Sequence, residues 1–237
     1  MKSWAEDLMT AIDEAKSERE VFREVEAMAR NLGFDFCAYG LRVPLPLSNP
    51  RTCLINNYPI AWQARYREAG YLDIDPTVLH GRRTRVPVIW SDDVFAGAED
   101  FWHEAQSAGL RIGWAQSSLD ANGVGGMLTL ARSSEQLSAA ELKANEFKMR
   151  WLVSVTHLSL ARFIVPRLYA KPAETLTNRE IEVLKWAADG KTSGEISEIL
   201  VISVDTVNFH VKNAIQKLRT ANKTAAVVRA AMLGLFN

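Results

Sequence analysis

The sequence predicts an α+β chain in two parts: an N-terminal α-β-α sandwich with a central antiparallel sheet, and a C-terminal all-α domain of four helices. Three observations predict it. Apolar residues at helical spacing flank a middle region of strand-like alternation. Asn122-Gly123 sits between two such strands, the strongest short hairpin signal. Beyond Pro166 and Pro172 the alternation ends, and only short helical patterns follow. With 237 residues, 48% of them hydrophobic, the chain can bury one sizeable core and a second, smaller one. The expected boundaries are 1–165 for the first domain, 166–175 for a linker and 176–237 for the second.

Taken in order, Trp4, Leu8 and Ile12 mark a first helix, and "SERE" (Ser17 to Glu20) is a capping box opening a second through Val21, Phe22, Val25 and Met28. Gly33 ends it. "FDFCAYGLRV" alternates as a strand, "PLPLSNP" is a loop, and a strand through Leu54 and Ile55 leads into a helix carrying Tyr58, Trp62 and Tyr66. A strand is expected at Val86 to Trp90 and a helix at "DFWHEAQSAGL". Two strands, "GWAQSSL" and "GMLTLAR", meet at the Asn122-Gly123 turn. A long helix from Ser138 to about Val165 presents Leu142, Phe147, Trp151, Val155 and Leu158 near one face. Four helices follow Leu176, the first opened by the capping box Thr177 to Glu180 and closed by Gly190.

Charge and composition narrow the classes. The 28 basic residues balance 28 acidic ones, so attraction to nucleic acid must come from a local patch. Cys37 and Cys53 have no metal or redox spacing, no signal peptide or membrane span is legible, and a cytoplasmic location is expected. The four histidines lack metal-ligand spacing and no G-x-S-x-G turn exists, which disfavours an enzyme, including a hydrolase using Asp75 as base. A phosphorylation receiver should begin with a strand ending in paired acids; this chain begins with amphipathic helices.

Only "VIS", Val201 to Ser203, separates the second and third C-terminal helices, the turn length of a helix-turn-helix. The N-terminal part of the third helix would then enter the major groove, bringing Asp205, Thr206, Asn208, Phe209 and Lys212 toward bases or phosphates. Asn reads adenine, Thr bonds phosphate or meets a thymine methyl, and Lys212 with Lys191 holds the backbone. From Asp205 onward five basic residues face one acidic residue. The segment "LTNREIEVLKWAADGKTSGEISEILVISVDTVNFHVKNAIQKL" closely resembles the DNA-binding domain of the LuxR family. That resemblance implies structural roles for Glu180, Leu184 and Gly190, and DNA contacts at Lys191, Thr192, Thr206, Asn208 and Lys212. Val201 departs from the small or polar residue common in that turn, and its β-branch argues against a left-handed conformation there.

Tyr58, Trp62 and Tyr66, at spacing of four, fit one helix face and could simply pack in a core. Each, however, carries a polar handle, and Asp75 follows; together they suit a small molecule with an amide and at least two carbonyls. The stretch also resembles the acyl-homoserine-lactone-binding domain of quorum-sensing LuxR regulators, through "FDFCAYGLRVPLP", the W-x-x-x-Y and D-P pairs, Trp90 and "GLRIGWAQS". The resemblance implies that Trp62 donates to the lactone carbonyl, Asp75 accepts from the amide, Tyr58 donates to the acyl carbonyl and Trp90 packs on the lactone ring. Thr129 falls where a serine often meets a carbonyl, and Gly113 matches a near-fixed glycine. Tyr66, Thr77 and Phe101 complete the pocket, and Ala38 makes its end more apolar. It further implies an N-acyl-homoserine lactone as signal ligand with no other cofactor, a homodimer on pseudo-palindromic double-stranded promoter DNA, and RNA polymerase as a partner. The alternative is a LuxR-type regulator answering a non-lactone ligand or a partner protein.

Overall fold

A computed structural model describes residues 4–168 and 175–236, which divide into two compact units. Pro172 and most of the expected linker lie outside the described residues.

The first unit opens with α1 (Trp4–Glu14) and α2 (Glu18–Asn31), which bury Leu8, Ile12, Val21, Phe22 and Val25. Ser17 caps α2, its Oγ accepting from the Glu20 N–H at 3.3 Å. The Glu20 carboxylate accepts from the Lys16 N–H, at 2.7 Å, instead of the Ser17 N–H, so the box is shifted by one residue. Strands β1 (Phe36–Arg42), β2 (Thr52–Asn56), β3 (Val88–Ile89), β4 (Ile112–Leu119) and β5 (Gly125–Arg132) form one antiparallel sheet in the order β2-β1-β5-β4-β3. On β1, Cys37, Tyr39 and Leu41 are fully buried on the face covered by α2 and by α6 (Ala139–Leu168). Phe36, Ala38 and Gly40 point to the other face. There the register aligns Ala38, Thr129 and Ala115, and α3 (Ile60–Glu68), α4 (Pro76–Arg83) and α5 (Glu99–Ser107) complete the unit.

Several local expectations are corrected. Tyr58 precedes α3 and does not share its face, because Pro59 follows it and a residue before proline is driven out of helical conformation. The expected strand from Val86 to Trp90 contracts to Val88–Ile89, since Pro87 cannot donate to a ladder. α6 runs through Pro166 to Leu168; a proline in the last turn removes a single helical bond near an end that frays anyway. Its core face carries Met149, Leu152, Val153, Thr156, Leu160 and Ile164, whereas Phe147 and Leu158 are 74% and 70% exposed. At the hairpin only Gly123 takes a positive φ, 75°, so the turn is not the two-residue form that Asn-Gly favours.

The second unit contains α7 (Asn178–Ala188), α8 (Ser193–Leu200), α9 (Val204–Lys217) and α10 (Lys223–Met232). Thr177 with Glu180, and Thr192 with Glu195, form complete capping boxes on α7 and α8. Val183, Ile196 and Val207 join α7, α8 and α9, with half-buried Ile202 packed against them. Contrary to the expectation from its β-branch, Val201 is left-handed, at φ 52° and ψ 51°. The reason is local: that conformation lets the Ile202 N–H reach the Ser197 carbonyl at 3.0 Å and turns Ile202 inward.

Candidate functional site

On the Ala38 face of the sheet, aromatic rings converge. Trp62 is 4% exposed, with centroids 6.0 Å from Tyr66 and 5.8 Å from both Tyr71 and Phe101. Tyr58 packs its edge on Phe36 and joins the same cluster. Trp90 meets Phe95 and Trp102 edge-on at 5.9 Å each. It lies flat against Gly113, where an added Cβ would fall 2.3–2.6 Å from three ring carbons. Gly113 is thus required for space, not for backbone freedom.

Asp75 caps α4, and Pro76 takes the first helical position, where its missing N–H costs nothing. Its two oxygens are used unequally. Oδ1 accepts from the Thr77 N–H at 2.9 Å, the Thr77 hydroxyl at 2.7 Å and the Val78 N–H at 3.4 Å. Among the described residues Oδ2 accepts only from the Tyr66 hydroxyl, at 3.0 Å, and so retains acceptor capacity. Burial pushes the Asp75 pKa up, against the lowering effect of the Thr77 and Tyr66 bonds. Burial and the Asp75 charge raise the pKa of Tyr58 and of Tyr66, so both hydroxyls stay protonated donors. The Tyr66 donor is committed to Asp75. Among the described residues the Tyr58 hydroxyl and the Trp62 indole N–H have no hydrogen-bond partner, and Trp90 Nε1 is buried without one. Trp102 differs: its Nε1 donates to Asp92 Oδ1 at 2.8 Å.

Arg65 on α3 grips Glu104 on α5 through two bonds of 2.7 Å, and the Tyr71 hydroxyl adds a third at 2.8 Å. These donors hold the Glu104 carboxyl down at about 2. The clamp fixes α3 over the aromatic cluster. An open groove lined by Ala61, Arg65, His103 and Glu104 runs outside it, and of the expected ligand residues only Trp62 reaches that groove.

In the helix-turn-helix, Ser203 caps α9, accepting from the Thr206 N–H at 3.1 Å while the two hydroxyls meet at 2.8 Å. Thr192 is the N-cap of α8 and Lys191 lies 3.5 Å from Glu195. Asn208 is exposed, and its Oδ1 accepts from the Ser193 hydroxyl at 2.9 Å, leaving Nδ2 as the free donor. Lys212 is exposed and unpaired among the described residues. Lys217, counted among the basic residues of this region, is instead drawn to buried Glu180 at 3.0 Å.

Two family models match this chain: an autoinducer-binding domain over residues 17–160 and the LuxR family of bacterial regulatory proteins over residues 174–230. The chain belongs to the LuxR family of quorum-sensing transcriptional regulators. It is 48% identical to the transcriptional activator protein AnoR of Acinetobacter nosocomialis over 238 residues, covering 100% of each chain. The crystal structure of Escherichia coli SdiA superposes with a TM-score of 0.87 at 32% identity, covering 99% of this chain and 98% of that one. SdiA in complex with octanoyl-rac-glycerol gives 0.85 at 33% identity, with 100% and 99% covered. The N-acylhomoserine lactone dependent LuxR family factor CepR2 of Burkholderia cenocepacia gives 0.60 at 32% identity, over 67% of this chain and 95% of that one. A LuxR regulator is not an enzyme: its first domain binds an autoinducer and its second binds DNA. Among the described residues no helix is long and apolar enough to cross a membrane.

In this LuxR protein the fold gathers Tyr58, Trp62, Tyr66, Asp75, Thr77, Trp90, Phe101 and Gly113 around one aromatic cluster, with buried Thr129 on β5 two residues from Ala131, the cross-strand partner of Gly113. Sequence reasoning missed Tyr71, Phe95 and Trp102. Phe95 and Trp102 stack at 4.2 Å with an 8° interplanar angle, and nothing in their spacing announces it.

Proposed function

We propose that this LuxR regulator is a receptor for an N-acyl-homoserine lactone, held between the sheet and the aromatic cluster. Asp75 Oδ2 accepts from the ligand amide, Tyr58 donates to the acyl carbonyl and Trp62 to the lactone carbonyl. Trp90, backed by Gly113, packs on the lactone ring, Thr129 faces a carbonyl, and Tyr66 and Phe101 form the wall. Thr77 and Tyr66 orient Asp75. The observation that carries this reading is the imbalance of the site: donors without partners belong to the same aromatic cluster as Tyr66, which bonds a buried carboxylate whose second oxygen is half used. A ligand with one N–H and two carbonyls would balance it. CepR2, described as lactone dependent, shares the fold and supports the choice.

Each half of the molecule then acts in turn. Burial of an acyl chain contributes about 0.8 kcal/mol per methylene, so ligand occupancy stabilises the sensing domain. A second copy covers exposed Phe147 and Leu158 on α6, with half-buried Trp151 between them, making a homodimer. Its two α9 helices enter successive major grooves of a pseudo-palindromic site, roughly 34 Å apart. Lys191, Thr192, Thr206, Asn208 and Lys212 contact that DNA, and RNA polymerase is recruited beside it.

A second reading has one specific observation in its favour. SdiA is described in complex with octanoyl-rac-glycerol, which has an acyl carbonyl and hydroxyls but no amide. One experiment separates the two: produce the full chain in the presence of a mixed series of acyl-homoserine lactones and acyl glycerols, and identify the retained molecule by mass spectrometry. Retention of a lactone, with a higher melting temperature in its presence, is expected. Retention of the glycerol alone, or equal melting temperatures across the lactone series, would overturn the lactone assignment.

A further inference from the structure

We infer that Phe209 is a specificity-determining residue that reads the 5-methyl group of a thymine in the major groove. The inference rests on the DNA-binding reading of α9 and adds to it a residue and a base that the polar contacts do not supply. Phe209 is 59% exposed, although phenylalanine in a packed helical domain is normally buried. It stands on α9 two residues from Val207, which is fully buried. At about 100° per residue, two positions turn the side chain roughly 200° away from the core. Phe209 therefore occupies the middle of the outward face. Asn208 and Lys212, both exposed, lie on one side of it, and half-buried Thr206, one turn before, lies on the other. Among the described residues the one ring contact of Phe209 is with its neighbour His210, at 5.8 Å edge-on, which leaves the outer face of the ring open.

The chemistry of the groove selects the base. Of the base edges presented there, only thymine offers an apolar group; the others show donors and acceptors that water must satisfy. A phenyl ring set against a guanine or cytosine edge would strip that water and return no hydrogen bond. Against thymine the same ring buries a methyl. Phe209 thus acts by attraction to one base and by exclusion of the others, whereas Asn208 and Lys212 act through polar contacts. Covering of this face by a second copy of the chain is the competing use.

The test uses the full-length protein with its lactone mixture and a duplex selected from a random-sequence pool. Each thymine of that duplex is replaced in turn by uracil, which removes only the methyl. At one position per half-site the replacement is expected to weaken binding roughly fourfold, the worth of burying one methyl group. In Phe209→Ala, binding is weaker overall, and the same replacement changes affinity by less than twofold. Because the ring touches no phosphate, the salt dependence of Phe209→Ala matches that of the parent. Uracil tolerated everywhere by the parent, or equal uracil sensitivity in parent and Phe209→Ala, overturns the assignment while leaving DNA binding intact. Loss of self-association in Phe209→Ala with unchanged uracil sensitivity assigns the face to a second copy instead and likewise overturns it. If no duplex is selected at all, the DNA-binding reading of α9 fails with it.

Discussion

Asp75 and Glu180 are both buried carboxylates, 8% and 2% exposed, one in the sensing domain and one in the DNA-binding domain, and they are held in opposite ways. Glu180 accepts from the Thr177 N–H and pairs with Lys217, and these bonds outweigh the upward effect of burial, so its pKa is lowered. Asp75 has hydrogen bonds but no cation among the described residues, and burial prevails, so its pKa is raised. The difference separates a carboxylate that closes a structure from one that keeps acceptor capacity for something else. The helix-turn-helix answers its own buried charge. The aromatic cluster leaves part of its polar chemistry unanswered, as the proposed lactone site requires.

The sharpest way to break this contrast is to remove the cation that Glu180 has and Asp75 lacks. Lys217→Met strands a buried carboxylate, and breaking a buried pair costs about 3 kcal/mol at the lower end of the usual range, appropriate to the partly exposed lysine. Chemical denaturation of the full chain should show that loss in the DNA-binding domain, with lactone affinity unchanged. The parent's lowered Glu180 pKa contributes stability above 4.5 that is lost as pH falls through the folded-state value. The deficit of Lys217→Met should therefore shrink on acidification. A deficit independent of pH would mean that Lys217 acts through packing alone.

Asp75→Asn sharpens the other side. Asn caps helices as well as Asp does, so α4 should survive with its amide oxygen on Thr77 and Val78. Its Nδ2 can still donate to the Tyr66 hydroxyl, which accepts as well as donates, but it would face the proposed ligand amide donor against donor. Loss of a hydrogen bond to a charged group, about 1.5–3 kcal/mol, predicts roughly 10- to 100-fold weaker lactone binding. The sign of the pH effect is opposite to that of Glu180. A raised carboxyl pKa means that the parent loses stability as pH rises from 3.8 through the folded-state value, and Asp75→Asn should abolish that loss. Calorimetric titration with the lactone measures the first effect, and denaturation of the ligand-free protein across that pH range measures the second. Full lactone affinity in Asp75→Asn would remove the acceptor role.

How much of this was legible in the sequence follows the same division. The helix-turn-helix could be read almost residue by residue, because its caps are local: Thr177 reaches Glu180 three residues on, and Ser203 reaches Thr206. The sheet was legible from its alternation. The pocket was only partly so, since its constraints are long-range. Trp90 with Gly113, or Arg65 with Glu104, pair across tens of residues with no spacing rule to reveal them. Tyr58 was misplaced although Pro59 carried the warning. On α6, the choice of core face could not be settled by periodicity, because apolar residues occur on both sides of that helix.

Val201 gives the smallest effect and the most direct test of whether the DNA-binding domain is as self-sufficient as Glu180 makes it look. Its left-handed backbone costs about 1–2 kcal/mol for a side chain with a Cβ, and the side chain, 87% exposed, returns little packing within the domain. What holds the conformation is the neighbour, Ile202, whose N–H reaches Ser197 and whose side chain enters the core. Glycine at 201 removes the strain but enlarges the conformational freedom of the unfolded chain, which takes back part of the gain. A net stabilisation of about 0.5–1 kcal/mol is expected for Val201→Gly, seen as a rise of a few degrees in the melting of this domain, with DNA affinity unchanged. Val201→Ala, which removes the branch but keeps the Cβ, should recover only part of it. If Val201→Gly is no more stable and binds DNA less well, the exposed valine serves the DNA surface, and the turn carries a functional cost that the rest of the domain has to offset.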